Sequence, residues 1–263
     1  MTSIITGVVI ASRDHKETDR FYTVYSRERG KIRILAKGTR KFKSKLAAHM
    51  TPFTELQIMI AHGKMWPKLA SVERQIDFRC IREDLTLYGL GLGLNELLYR
   101  AIGDQEPDDK LYDFLIDAYS WIQTLPELES QRLQFVHSAL TLKWLVMIGF
   151  GPHCDACVSC HKAHTEVSDP HVTVSHGGLV CHVCVVERRL QFADARRISS
   201  ETLAALRFLA TAPFESLLTE ELDPILELLI DIQDEFIHYH LERDLRVPVF
   251  LDQLVASNRE TST

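Results

Sequence analysis

No GxxxxGK[ST] loop occurs anywhere in the 263 residues, so nucleotide hydrolysis at a P-loop has no support. There is no HExxH and no Ser-His-Asp signature, which removes the commonest motif evidence for a metalloprotease or a serine hydrolase. No apolar run reaches the length needed to cross a bilayer. The opening "MTSIITGVVIASRDH" has no basic leader, and Thr6 and Gly7 interrupt its apolar run, so no signal peptide is expected and a cytoplasmic protein is. Internal repeats and low-complexity linkers are missing too. Cysteine is scarce, at six residues, and without export these are expected as thiols or metal ligands rather than disulfides. Cys80, far from the others, is expected as a small buried apolar residue.

Charge is plentiful but segregated. Residues 1–79 carry 16 Lys+Arg against 7 Asp+Glu, a net of +9, while residues 80–263 carry 14 against 29, a net of −15. The whole-chain value of −6 hides this division. A basic part on an otherwise acidic chain points to a polyanionic partner, nucleic acid before any other. Hydrophobic content of 46% is enough for a real core.

The division in charge matches one in pattern. "IITGVVIAS", "FYTVYS", "KIRILAKG", "FTELQIMIAHG" and "PKLASVE" read as five short strands, with Gly30 of "RERG" supplying a turn where positive φ is easy. In the third strand Ile32 and Ile34 alternate with Lys31 and Arg33, as in a strand with one buried face. Five strands in a small basic unit fit an OB-fold barrel, though other five-stranded β domains share the periodicity. From residue 80 the spacing is helical. "REDLTLYGLGLGLNELLYRAI" is apolar throughout, with glycines at 89, 91 and 93 that lower helix propensity. "KLYDFLIDAYSWIQTL" and "ESQRLQFVHSALTLKWLVMIGF" follow, the first started by Asp108 or Asp109. Ser199 or Ser200 caps a helix through "ETLAALRFLAT" that Pro213 stops, and Asp223-Pro224 starts the last long helix. The expected class is α+β: an OB-fold over 1–79, then an all-helical domain over 80–150 and 191–263 carrying an inserted four-cysteine module at 151–190.

Nine cations lie between residues 27 and 45: Arg27, Arg29, Lys31, Arg33, Lys37, Arg40, Lys41, Lys43 and Lys45, opposed only by Glu28. They span a strand, a loop and the start of the next element, so they form a patch rather than a single row. Neutralising phosphates with such residues gives sequence-independent affinity for nucleic acid. Phe21, Tyr22, Tyr25 and Phe42 lie close by in sequence, and rings beside a basic groove are how OB-folds hold unpaired bases. Phe42, with basic residues on both sides, is the ring expected to be exposed.

The other cluster is "CDACVSC" at 154–160, followed by "CHVC" at 181–184. Two Cys-x2-Cys pairs at this distance are a zinc signature, and an all-thiolate site is closed and structural. Of the three cysteines in the first run, two are needed. The residue after the second cysteine of such a turn often requires φ > 0, which Val158 resists and His161 tolerates, so Cys157 and Cys160 are favoured over Cys154. Val185 follows the second pair, where a helix can begin instead. His153, His161, His164, His171, His176 and His182 crowd the region and could each replace a thiolate, but four cysteines make that unnecessary. A competing assignment reads His164 and Glu166 with the later cysteines as a zinc deaminase, Glu166 shuttling protons. Val180 stands where that signature has proline, and "CDACVSC" would be left without a purpose.

Taken together, the basic strands, "AKGTRKFKSKLAAHMTPF", the helical body, "GFGPHCDACVSC", "HGGLVCHVC" and the late "YHLERDL" and "FLDQL" resemble the RecO family of bacterial recombination mediators along nearly the whole chain. The resemblance implies an N-terminal OB-fold, a helical domain and one structural zinc. It implies a protein without enzymatic activity that binds single- and double-stranded DNA and anneals complementary strands without ATP. It also implies cytoplasmic work at the nucleoid beside RecR, single-strand binding protein and, indirectly, RecA. The family's knuckle runs from a proline through a leucine to Cys-x2-Cys-Gly. Set on Pro152, it puts Cys154 at the apolar position and Cys157, Cys160, Cys181 and Cys184 at the ligands, with His161 in place of the glycine.

Overall fold

A computed structural model describes residues 2–39, 45–218, 225–241, 245–247 and 250–251. Five strands open the chain: β1 (Thr2–His15), β2 (Asp19–Ser26), β3 (Gly30–Ala36), β4 (Thr54–Ala61) and β5 (Lys68–Asp77). They close into a barrel in the order β1-β2-β3-β5-β4, with β4 returning to β1 in antiparallel register. Closure rests on one short parallel contact, Leu35 against Lys68, where the Leu35 N–H donates to Pro67 O at 2.9 Å. A closed sheet leaves no free edge to pair with another chain.

Alternation decides which side chains enter. Ile32 and Ile34 of β3 join Tyr22, Val24, Leu56, Ile58 and Ile60 in the barrel interior, while Lys31 and Arg33 face outward, as their spacing predicts. Gly30 turns β2 into β3 at φ +60°, and a Cβ there would stand 2.2 Å from the Glu106 carbonyl oxygen. The position therefore demands both positive φ and a missing side chain.

The helices follow: α1 (Lys45–His49) between β3 and β4, then α2 (Arg79–Glu83), α3 (Leu85–Ala101), α4 (Asp109–Ile122) and α5 (Ser130–Met147). The expected α3 forms despite its glycines. A Cβ on Gly91 would lie 2.6 Å from the Phe53 ring, so its absence lets the helix pack closely, which offsets its weak propensity. Asp108 caps α4 by accepting from Lys110 N and Leu111 N. Cys80 departs from expectation: α2 buries Ile81, and Cys80, on another side of that short helix, is exposed.

Beyond α5 a three-stranded sheet of β6 (Pro170–Thr173), β7 (Gly178–Cys181) and β8 (Arg196–Arg197) is followed or interleaved by α6 (His182–Glu187), α7 (Ser200–Thr211) and α8 (Leu226–Leu241). Ser199 caps α7 by accepting from Thr202 N at 3.0 Å, and the helix ends before Pro213. The proposed Asp223-Pro224 start of α8 lies outside the described residues.

Two compact units result, one from the described residues of Met1–Leu128 and Leu245–Thr263, the other from those of Glu129–Asp244. The change from strand to helix near residue 80 is thus not the division between units, because α2, α3 and α4 pack with the barrel. In the first unit the Arg246 and Val247 N–H groups both donate to Glu96 on α3 at 2.8 Å. In the second, Ser138 on α5 donates to Gln233 on α8 at 2.7 Å, among buried Trp144, Leu229 and Phe236.

Candidate metal centre and nucleic-acid interface

The second unit gathers the thiols of Cys157, Cys160, Cys181 and Cys184 so that all four sulfurs lie within 4.8 Å of one another. Cys160 Sγ is 3.8 Å from Cys181 Sγ, the edge of a tetrahedron whose metal–sulfur bonds are about 2.3 Å. The donor set and its spacing therefore fit Zn²⁺. Among the described residues no histidine joins the four thiols.

Local backbone explains why these four meet. The first knuckle closes with His161 N donating to Cys157 O at 2.9 Å, and His161 takes φ +60°. The knuckle leans on β7 through Val158 N to Leu179 O at 2.7 Å. Cys181 ends β7 and precedes α6, whose first turn carries Cys184, so Val185 is helical. Burial raises the Cys157 thiol, but backbone N–H groups of Cys160, Cys181 and Ser159 outweigh it and hold the group at about 7, poised to ionise. Cys154 stands outside the group, buried, and that burial pushes its thiol up to about 12.

Carboxylates brace the module. Asp194 accepts from Val174 N, Ser175 N and the hydroxyls of Thr173 and Ser175, which fixes the turn between β6 and β7. Asp169 accepts from Arg197 at 2.6 Å, and that guanidinium holds its carboxyl below the usual range. Asp169 also lies 3.3 Å from His182 Nδ1, and its backbone oxygen accepts from His182 N, so it orients the second knuckle. Glu166, the proton shuttle of the deaminase assignment, is exposed on a short 3-10 turn, and neither it nor His164 belongs to the thiol group.

In the first unit the expected basic patch divides. Arg27 turns to α4, where it pairs with Asp113, reaches Asp109 at 3.4 Å and lies 4.6 Å from the Tyr112 ring centroid. Lys31 donates to Tyr99 O at 2.9 Å and to Ile102 O, carbonyls at the end of α3, and approaches Asp104 at 3.7 Å. A cation at a helix C-terminus satisfies orphan carbonyls and the dipole together. These two cations fasten the barrel to its helices. Arg33 and Lys37 are exposed and Arg29 is half-buried, and none of the three has an ion pair among the described residues. Arg40, Lys41, Phe42 and Lys43 lie outside the described residues, as does the side chain of Lys45. Of the nearby rings, Tyr22 and Tyr25 are core and Phe21 is half-buried.

The pattern reading missed Trp66, which the β4–β5 loop brings against this face with Arg33 5.5 Å from its ring centroid. Its one sequence signal is "GKMWPK", an apolar pair between lysines in a predicted loop.

Two family models match the chain. The family model described as "Recombination protein O N terminal" matches residues 1–74, and "Recombination protein O C terminal" matches residues 82–248. The DNA repair protein RecO of Myxococcus xanthus is 31% identical over 249 residues, covering 94% of this chain and 96% of that one. That of Pelotomaculum thermopropionicum is 28% identical over 249 residues, covering 94% and 92%. That of Bacillus subtilis is 27% identical over 178 residues, covering 68% and 67%.

Proposed function

The chain belongs to the recombination protein O family, whose relatives are named DNA repair proteins, and from that membership we propose a DNA-binding recombination mediator that acts without catalysing a covalent step. It holds single- and double-stranded DNA by the phosphates, anneals complementary strands without ATP, and with RecR helps RecA replace single-strand binding protein. It does so in the cytoplasm, at the nucleoid. Among the described residues no helix is long and apolar enough to cross a membrane.

The observation that carries this reading is the outer side of β3 and its flanking turns, where Arg29, Arg33 and Lys37 have no ion pair among the described residues and Arg33 lies over the Trp66 ring. Cations held this way bind phosphates whatever the sequence and leave base edges free to pair. Cys157, Cys160, Cys181 and Cys184 would hold one Zn²⁺. With four thiolates no position stays open for water, so the ion supplies cross-linking of the module and not chemistry.

Mixing two complementary fluorescent oligonucleotides with the protein, without nucleotide, tests the reading. Faster pairing than in buffer, with the gain lost at high salt, is expected. No binding of either strand and no acceleration would overturn it.

A further inference from the structure

Three tryptophans are present, and two are core: Trp121 is 7% exposed and Trp144 1%. Trp66 is 39% exposed, beside Met65 at 83%. Large apolar groups left open together on a loop commonly mark a binding surface.

The surroundings of Trp66 narrow what it binds. The Phe21 ring meets it edge-on at 5.6 Å, and His15 lies 4.7 Å beyond Phe21, so three rings run in a row across the ends of β1 and β2 to the β4–β5 loop. Arg33 stands over Trp66 and also lines two adjoining hollows. One, of about 400 Å³, includes Arg13, His15, Phe21 and Tyr99. The other, of about 240 Å³, includes Arg29, His62, Met65 and Trp66. The acids in these linings are already engaged, Asp14 by Arg20 at 2.8 Å and Asp104 by Lys31 at 3.7 Å. Arg13, Arg29 and Arg33 have no ion pair among the described residues.

We propose that Trp66, with Phe21 and Arg33, forms a stacking site for an unpaired nucleobase, and that this site biases the barrel toward single strands. The proposal deepens the DNA-binding reading and rests on it. A flat ring takes the π-face of any base, and a guanidinium adds both stacking and charge. The arginines on either side hold the flanking phosphates. In a duplex the bases are stacked on one another, so Trp66 has nothing to receive and only the phosphate contacts remain.

Because Trp121 and Trp144 are buried, quenching of intrinsic fluorescence by a bound base reports on Trp66. The test uses the full chain, an oligothymidine of about 16 nucleotides, the upper end of an OB-fold footprint, and a duplex of equal length. Wild type is expected to be quenched by the single strand, and Trp66→Ala to bind it roughly 5- to 150-fold more weakly, with duplex affinity within about twofold. Trp66→Phe, which keeps a ring, restores most of the loss. If Trp66→Ala binds the single strand as wild type does, the stacking site is wrong and DNA binding stands. If the variant loses single strand and duplex alike, Trp66 has only a structural role and the proposal fails. If wild type binds neither, the DNA-binding reading itself falls.

Discussion

At the scale of single residues, the three cysteines of "CDACVSC" show how one backbone angle sorts identical side chains. His161 adopts φ +60°, the Cys157 thiol is held at about 7 by N–H groups, and Cys154 is buried with its thiol at about 12. Cys157→Ser is therefore expected to reduce bound zinc from one equivalent to near none, measured by elemental analysis of purified protein. Cys154→Ala should keep the metal and cost about 1 kcal/mol in urea unfolding, for a small cavity. Zinc retained by Cys157→Ser would reverse the assignment. The gathering of these four thiols without Cys154 was legible in sequence because the constraint is local, a turn of four residues. Trp66 was not legible, because its meaning comes from Phe21 and Arg33 on other elements. Cys80 was misjudged for a related reason: on a helix as short as α2 a single buried neighbour decides which way it faces.

At the scale of the element, β3 carries two outward cations with opposite duties. Periodicity places both Lys31 and Arg33 on the same face, and it cannot say that α3 covers one and leaves the other open. Lys31→Ala should destabilise the chain by about 1–2 kcal/mol, the worth of charged hydrogen bonds to carbonyls, and leave the salt dependence of DNA binding unchanged. Arg33→Ala should do the reverse, keeping stability and lowering the slope of log affinity against log salt by about one. Paired urea melts and salt titrations separate the two, and equal salt slopes for both variants would refute the division. Strands β1 to β5 and helices α4, α5 and α7 were readable, since each is long enough to show its period and most carry a cap or a turn signal. The sheet of β6, β7 and β8 was not, because strands of two to four residues show no period. Asp194 and Asp169 hold that sheet through contacts to residues far apart in sequence.

At the scale of the molecule, the break in charge near residue 80 follows the end of the five strands, yet the compact units divide after residue 128 and again after residue 244. Composition registers what a segment is made of, while packing registers what it touches, and α3 and α4 touch the barrel through Lys31, Arg27 and the Tyr112 hydroxyl, which donates to Glu55 at 2.9 Å. The four thiols belong to one unit and the Arg33–Trp66 face to the other. Metal binding and DNA binding are therefore expected to respond separately. The small sheet around the thiols is expected to lose order when a bound metal is removed, since small metal modules draw much of their folding energy from the ion. Chelation of the full chain should open residues 151–190 to limited proteolysis. The affinity for single strands should stay within about twofold, since the phosphate contacts are unchanged. Loss of single-strand binding in step with the metal would instead make the thiol module part of the DNA site, and the two sets of residues would have to be read as one.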